Sequence, residues 1–482
     1  MSAAVALSAP FMIRGKLVEG DAVQHRSRDL GVDFTTPAID LDTLITSRQE
    51  LPPLLNVPVA EIIDFLVETG ERLALDGNSH MQRCLDLVAE TNPLPRRVVE
   101  NLYRSAPALL SRDSLWAQVE SNFAEPAVLD GWVSRTDTSG NTGAVRAFPP
   151  RMVHMLAGNA PAGCIASIAQ GALVKAINLF KMPSSDPFTT VAVLRTMAEI
   201  DPEHPVVQSM SAVYWAGGDE AIERTLYRPQ YFDKIVAWGG GPAINNVIKY
   251  LGPGIQLVSF DPKSSISMIG REAFASDEVL AEVAERVAAD TCVFNQEACL
   301  ASRFVFLETT DREQARGFCA ALLPRLGDDR LFGSAVAPLP PTDIRDEIEV
   351  MGAMGDELEV FGRFDGRGVV LLSDEPVDFH PSNKISNVVM VDSLEHAVRY
   401  VNVATQTIGV YPYERKVQLR DVLAGAGAQR VCRVGTANGH VAGGPHDAMY
   451  PLARFVHWMG DDDIFSGNPN ANANAALPIC AG

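Results

Sequence analysis

The chain lacks any pair of closely spaced cysteines. Its seven cysteines, Cys84, Cys164, Cys292, Cys299, Cys319, Cys432 and Cys480, are odd in number and irregular in spacing. No CxxC pair is present, which removes the zinc-knuckle and thioredoxin-type readings, and no metal site is expected. Free thiols in a reducing cytosol are expected instead. Long apolar runs are absent too: nothing approaches the ~18 residues that a membrane span needs. Positive charge is scarce. Lysine and arginine number 40 against 60 acidic residues, for a net charge of −20, so there is no global field to attract nucleic acid. The opening "MSAAVALSAPFMIRGK" has no basic region ahead of its short apolar stretch, so a secretory signal is not expected and a cytoplasmic location is. No internal repeat is visible.

What is present is an ordinary globular balance, with 47% hydrophobic and 21% charged residues over 482 positions. That length is too great for one simple core and implies two or three associated domains. Residues 1 to about 150 read as mixed and mainly helical, with apolar positions at helical spacing in "VAEIIDFLVETGERLAL" and "PLPRRVVENLYRSAPALL". Residues 1–84 are expected to form an N-terminal, mainly helical region. The turn-rich "LDGWVSRTDTSGNTGAVRAFPP" reads as a hairpin, near residues 132–150.

From residue 151 strand-like and helix-like pieces alternate: "RMVHMLAGN", "ASIAQGALVKA", "INLFKMP", "TTVAVLRTMAEI", "SAVYWAGG", "DEAIERTLY", "KIVAWGGG", "AINNVIKYL", "QLVSFD". Short β/α alternation of this kind predicts a parallel, doubly wound sheet. Ligands gather at the carboxyl ends of such strands, where the sequence places Asn159, Lys181, Gly217, Gly239 and Asp261. A second α/β segment starts near residue 275 and holds Cys299 between a long helix and the apolar run "RFVFLE". The closing "SGNPNANANAALPICAG" reads as a flexible tail or an arm that packs on a partner.

Four short motifs carry chemistry. In "AWGGGPAINNVI", Gly239 and Gly240 join a strand to a helix, so backbone N–H groups there would approach a phosphate; a plain tight turn explains the glycines equally well. In "HMLAGNAPAG", Asn159 offers a side-chain amide to an oxyanion, although local sequence alone favours a turn asparagine capping its own backbone. In "NLFKMPSSDP", Lys181 ends a buried-looking strand and either reaches a ribose or phosphate or snorkels to solvent. In "FNQEACLASR", small neighbours leave room for a carbonyl beside Cys299. A thiolate there would attack it and hold a thioester; an inert buried thiol is the competing reading.

The ordered set of Asn159, Lys181, Gly239–Gly240, Lys263–Ser264 and Cys299, followed by "VDSLEHAVRYVNVATQTIGVYP", resembles the aldehyde dehydrogenase superfamily over about residues 85–460. "NQEACLASR" and "GGPHDAMYPLARFVHW" carry a further resemblance to its LuxC-type fatty acyl-CoA reductases. The resemblance implies an α/β fold with a dinucleotide-binding domain over 85–269 and a catalytic domain over 270–440. It also implies a small β oligomerisation element and a C-terminal segment, 441–482, that returns to the first domain or to a partner subunit. Two departures from ordinary aldehyde dehydrogenases are visible. Ser259 stands where those enzymes keep a water-activating glutamate, and "HPSNKIS" replaces their "EIFGP" stretch. Serine is a poor general base near neutral pH, so transfer between thiols is favoured over hydrolysis.

The activity so implied is reduction of a bulky, fatty acyl-CoA to the aldehyde. Cys299 carries the acyl group, Asn159 and the Cys299 N–H hold the oxyanion, and Lys181 with Gly239–Gly240 holds the dinucleotide. Ser184, three residues after Lys181, removes the repulsion that a 2′-phosphate would meet, pointing to NADPH with NADH as the other choice; Asp186 nearby works against this. Coenzyme A is the leaving group. Lys263 is assigned to positioning, and Glu297 and His446 are the nearest proton donors. An acyl-activating or acyl-transferring protein partner and a homo-oligomer also follow from the resemblance. The competing activities are a hydrolytic NAD(P)-dependent aldehyde dehydrogenase and a non-redox acyl-binding or acyl-transfer subunit.

Overall fold

The computed structural model describes residues 7–138, 140–354 and 358–463. The β/α alternation from residue 151 builds a seven-stranded sheet. Its order is Gln256–Phe260, Lys234–Trp238, Arg151–Met155, Ile177–Lys181, Met210–Val213, Phe11–Ile13, Lys16–Val18. The first five strands run parallel and the last two add antiparallel at one edge. All five residues of Arg151–Met155 are buried, as befits a parallel strand covered by helices on both faces. The order of connection reverses between Arg151–Met155 and Lys234–Trp238. That reversal opens a crevice at their carboxyl ends, which lead into Asn159 and Gly239.

The N-terminal region is less helical than its sequence suggests. Residues 7–36 form five short strands before the helices begin. At two to four residues each, they are too short for alternation to show. Nor do residues 1–84 form a separate domain: one apolar core runs continuously from Ala9 to Phe260 and takes in Leu452, Phe455 and Val456.

A second seven-stranded sheet has the order Leu358–Gly362, Val369–Ser373, Ile385–Val391, Ser302–Glu308, Ser264–Ile269, Thr405–Tyr411, Arg430–Arg433. It is parallel except for Leu358–Gly362. The expected boundary at residue 269 is therefore too late, because Ser264–Ile269 is an inner strand of this second sheet. Only Asp261, Pro262 and Lys263 separate it from Gln256–Phe260. A parallel neighbour in the same sheet needs a crossover of about a dozen residues, so so short a link must pass to another sheet. Helices Asp277–Thr291 and Arg312–Leu326 cover one face of this sheet with Val283, Val287, Phe318 and Leu322.

A third, antiparallel sheet of three strands joins His457–Asp463, Thr142–Phe148 and Val133–Thr136. The C-terminal chain thus returns to the first unit. Residues 464–482, including Cys480 and the polar closing segment, lie outside the described residues.

Candidate active site

Cys299 sits just ahead of the central strand Ser302–Glu308, in a turn closed by the Ala301 N–H on the Ala298 carbonyl at 3.0 Å. The three residues Phe294, Asn295 and Gln296 all have positive φ, at 51°, 54° and 72°. None is glycine, and such backbone persists only where surrounding contacts over-determine it. Here those contacts are buried side chains. Asn295 Nδ2 donates to Ser334 Oγ at 2.9 Å, and its Oδ1 accepts from the Ser334 N–H at 2.9 Å. Gln296 Nε2 donates to the Ser302 and Ile385 carbonyls at 3.0 and 2.7 Å. Arg303 Nη2 holds the Gln296 carbonyl at 2.7 Å. The left-handed strap delivers Cys299 to the amino end of the second sheet. Among the described cysteines, Cys84, Cys164, Cys292, Cys319 and Cys432 are buried and Cys299 alone is half-buried.

The amino ends of two neighbouring strands complete the surroundings of the thiol. Ser265 Oγ donates to the Cys299 carbonyl at 2.8 Å and accepts from the Thr407 N–H at 3.1 Å. Gln406 Nε2 lies 3.2 Å from Cys299 Sγ and 2.9 Å from Asp447 Oδ1. The other oxygen of Asp447 pairs with Lys263 Nζ at 3.1 Å, both side chains being almost fully buried at 3% and 7% exposure. Burial raises the Cys299 thiol above its usual pKa, the Gln406 hydrogen bond opposes that shift, and the Asp447 charge adds to it. Asp447 and Ala448 also have positive φ, 49° and 58°. Neither Gln406 nor Asp447 stands out in the sequence. Gln406 belongs to an apolar strand, and Asp447 meets it across 41 residues.

Lys263 is therefore a buried ion-pair partner of Asp447. His446 packs edge-on against Trp238 and Phe260, whose rings stack at 3.6 Å. Burial lowers its pKa while Asp447, 3.4 Å from Nδ1, opposes the shift. The imidazole is neutral near pH 7, which suits a proton acceptor better than a donor.

Asn159 comes from the first sheet, yet its Nδ2 donates to the Glu297 carbonyl at 2.9 Å. The carboxyl ends of the first sheet thus meet the cysteine turn of the second. Gly158 admits no side chain, since a Cβ there would come 1.9 Å from Ser185 Oγ. A cavity of about 360 Å³ opens at this junction, with Arg28, Asp29, Asn159, Glu297 and Asn383 in its wall. Desolvation by that wall raises the pKa of Glu297, although its side chain still reaches solvent; Arg303 opposes the shift.

Lys181 ends its strand with Nζ 5.6 Å from the Tyr214 ring centre. Burial lowers it to about 8; Glu223 opposes that and Arg28 reinforces it. Ser184 Oγ accepts from the Arg28 backbone N–H at 3.2 Å, and the Arg28 guanidinium, paired with Asp29 at 2.8 Å, is a second cation near Lys181. Asp186, by contrast, is buried and caps the helix Thr189–Ile200, accepting from the Thr189 N–H at 2.9 Å. It faces inward, onto the Phe188 and Thr189 N–H groups. Gly240 caps the eight-residue helix Gly241–Ile248, and a Cβ at Gly241 would meet only open space. Room for a phosphate at a helix N-terminus, with a lysine at the next-but-one strand end, fits a dinucleotide. Ser259 is half-buried and pairs in register with Ala237. Among the described residues no cluster of His, Cys, Asp and Glu suits a metal ion, and no helix is long and apolar enough to cross a membrane.

Two parallel α/β sheets meeting end to end over a cysteine, with a small antiparallel sheet beside them, define an aldehyde dehydrogenase fold. The chain superposes on the NAD-dependent benzaldehyde dehydrogenase of Corynebacterium glutamicum with a TM-score of 0.71 at 15% identity, covering 94% of this chain and 98% of that one. With the NADP-dependent glyceraldehyde-3-phosphate dehydrogenase of Bacillus halodurans the TM-score is 0.70 at 14% identity, covering 95% and 100%. Within this fold the chain belongs to the LuxC family, described as acyl-CoA reductase, whose model matches residues 54–458. It is similar to the long-chain acyl-protein thioester reductase of Vibrio harveyi, at 27% identity over 459 residues and 92% of each chain.

Proposed function

We propose that the protein reduces a long-chain acyl thioester to the aldehyde through an acyl-cysteine on Cys299. The observation that carries the reading is the placement of the one accessible described thiol where Asn159, from the dinucleotide-type sheet, meets the cysteine turn. Cys299 thiolate attacks the thioester carbon. The oxyanion takes hydrogen bonds from Asn159 Nδ2 and the Cys299 N–H. The leaving thiolate departs with a proton, for which Glu297, held above its ordinary pKa by desolvation, is the nearest carboxyl source. A reduced nicotinamide, when bound, supplies the hydride that the acyl carbon receives. The resulting hemithioacetal oxyanion collapses, expelling the Cys299 thiolate and releasing the aldehyde. Thioester, hydride and one proton thus give aldehyde and free thiol. Ser259 supports reduction over hydrolysis, because a serine there activates no water.

Lys181 and the Gly239–Gly240 turn hold the dinucleotide in this reading. Ser184, with Lys181 and the Asp29-paired Arg28 near it, supports NADPH over NADH: a serine in place of a carboxylate at that position, with two cations near, suits a 2′-phosphate. The leaving thiol is coenzyme A or a cysteine of an acyl-transferring protein partner. The family description supports the first and the name of the Vibrio harveyi relative the second. The small third sheet joins subunits into a homo-oligomer, and the chain works in the cytoplasm.

The test is loss of reduced-nicotinamide absorbance when a long-chain acyl group is offered on coenzyme A and, separately, on a cysteine peptide. Consumption with aldehyde formation is expected, faster with NADPH, and absent in Cys299→Ala. No consumption with either thioester and either nicotinamide overturns the reading. Cys299→Ala with full activity overturns the assignment of the nucleophile.

A further inference from the structure

Gln406 stands outside every motif that the sequence offers, yet its amide is the side-chain group held against the sulfur. Which end of the amide faces Cys299 follows from chemistry. An ionised carboxylate only accepts hydrogen bonds. Asp447 meets Lys263 as an ion pair, at 3.1 Å on its Oδ2, in a place where both are nearly dry. The Gln406 atom 2.9 Å from Asp447 Oδ1 must therefore be the NH2 nitrogen, and that same nitrogen is 3.2 Å from Cys299 Sγ. One of its two hydrogens is spent on Asp447, and the other points at the nucleophile.

We propose that Gln406 is a catalytic residue whose Nε2–H stabilises the Cys299 thiolate, and that Asp447 and Lys263 are positioning residues that fix the orientation of its amide. The proposal deepens the reading of Cys299 as nucleophile and rests on it. A thiol enclosed by protein pays for its ionisation in lost hydration, and a directed N–H restores part of that. The strained backbone at Asp447 and Ala448 is consistent with a carboxylate forced inward for this purpose. The charged groups that bear on the sulfur are few. Asp447 from the C-terminal loop and Arg303 from the strand that follows the cysteine bear on it directly, with Lys263 and His446 beside Asp447 and Glu297 beside Arg303. None of them donates a hydrogen bond to Sγ. The arrangement also separates two tasks. The Asp447 charge by itself opposes ionisation of the sulfur, while the neutral Gln406 amide between Asp447 and Cys299 makes the directional contact that favours it.

The experiment is the pH dependence of iodoacetamide alkylation at Cys299, read by peptide mass spectrometry on the full chain. Gln406→Met keeps the length and removes the donor. The midpoint is expected to rise by about one pH unit, making alkylation roughly tenfold slower below it. Gln406→Glu, which sets a second carboxylate against Asp447, is expected to move the midpoint further the same way. A folded Gln406→Met protein with the midpoint unchanged overturns the proposal. So does failure of both variants to fold, which would make Gln406 a structural residue. Alkylation needs neither thioester nor nicotinamide. Absent turnover in the unmodified protein therefore sinks the proposed function alone, while an unmoved midpoint beside normal turnover sinks this proposal alone.

Discussion

Asn159 spends its amide on the Glu297 carbonyl, so the free site already holds the donor within reach of the turn that carries Cys299. An oxyanion forming on the acyl carbon would compete for that same N–H without any movement of the loop. Asn159→Ala is expected to lower kcat by about 10²–10³-fold, with little change in KM, because the bond matters only as charge develops. Steady-state kinetics with a saturating acyl thioester check this. Lys181 gives a prediction in pH. Its ammonium is held near 8 by burial, so it is charged below that value and neutral above. KM for the dinucleotide should be flat at lower pH and rise as pH passes about 8. Lys181→Arg, which stays charged, should remove the rise.

At the scale of the element, the loop from Lys181 to the helix Thr189–Ile200 shows how a short stretch divides its labour. Ser184 turns outward to Arg28, while Asp186 turns inward and caps the helix. Burial raises the Asp186 carboxyl from 3.8 to about 6. The folded chain therefore binds a proton that the unfolded chain releases between those values, and stability falls as pH rises through that window. Asp186→Asn keeps an acceptor for the helix N–H groups without the charge. It should raise Tm at neutral pH, by on the order of 2 kcal/mol in stability, and the gain should vanish below about pH 4. Thermal melts across pH decide it.

The same loop marks how far the sequence could be read. Runs such as "RMVHM" and "INLFK" announce buried parallel strands by their apolar continuity, and the residues that end them, Asn159 and Lys181, are named by position alone. Whether Ser184 or Asp186 faces the ligand is set by the turn between them, which local composition does not encode. Gln406 was hidden for another reason. Its two partners lie 107 and 41 residues away, so only the register of three adjacent strands brings it to Cys299. The left-handed run Phe294–Gln296 was equally silent, since the side chains that hold it there, from Ser334 and Arg303, belong to other segments.

For the whole molecule, the third sheet presents a group of large apolar side chains to solvent. Trp132, Trp458 and Met459 on or beside it remain 45%, 47% and 47% exposed, an unusual outlay of large apolar groups on a thin sheet unless another surface covers them. Sedimentation velocity should show a species heavier than the 52.0 kDa chain. Trp458→Lys with Met459→Lys should return it to the monomer; a monomeric unmodified protein would refute the oligomer.

The return of residues 451–463 to the first unit also sets an order of events during synthesis. Lys234 Nζ donates to the Arg454 carbonyl at 2.8 Å, Asn122 Oδ1 accepts from the Leu452 N–H at 2.8 Å, and His457–Asp463 pairs with Thr142–Phe148. The second sheet uses only residues 264–433, so all its strands have left the ribosome while the earlier-made unit still lacks an edge and part of its core. The usual N-terminal-first sequence of domain completion is inverted: the half made first finishes last, because one edge of Thr142–Phe148 stays open until His457–Asp463 has been made to pair with it.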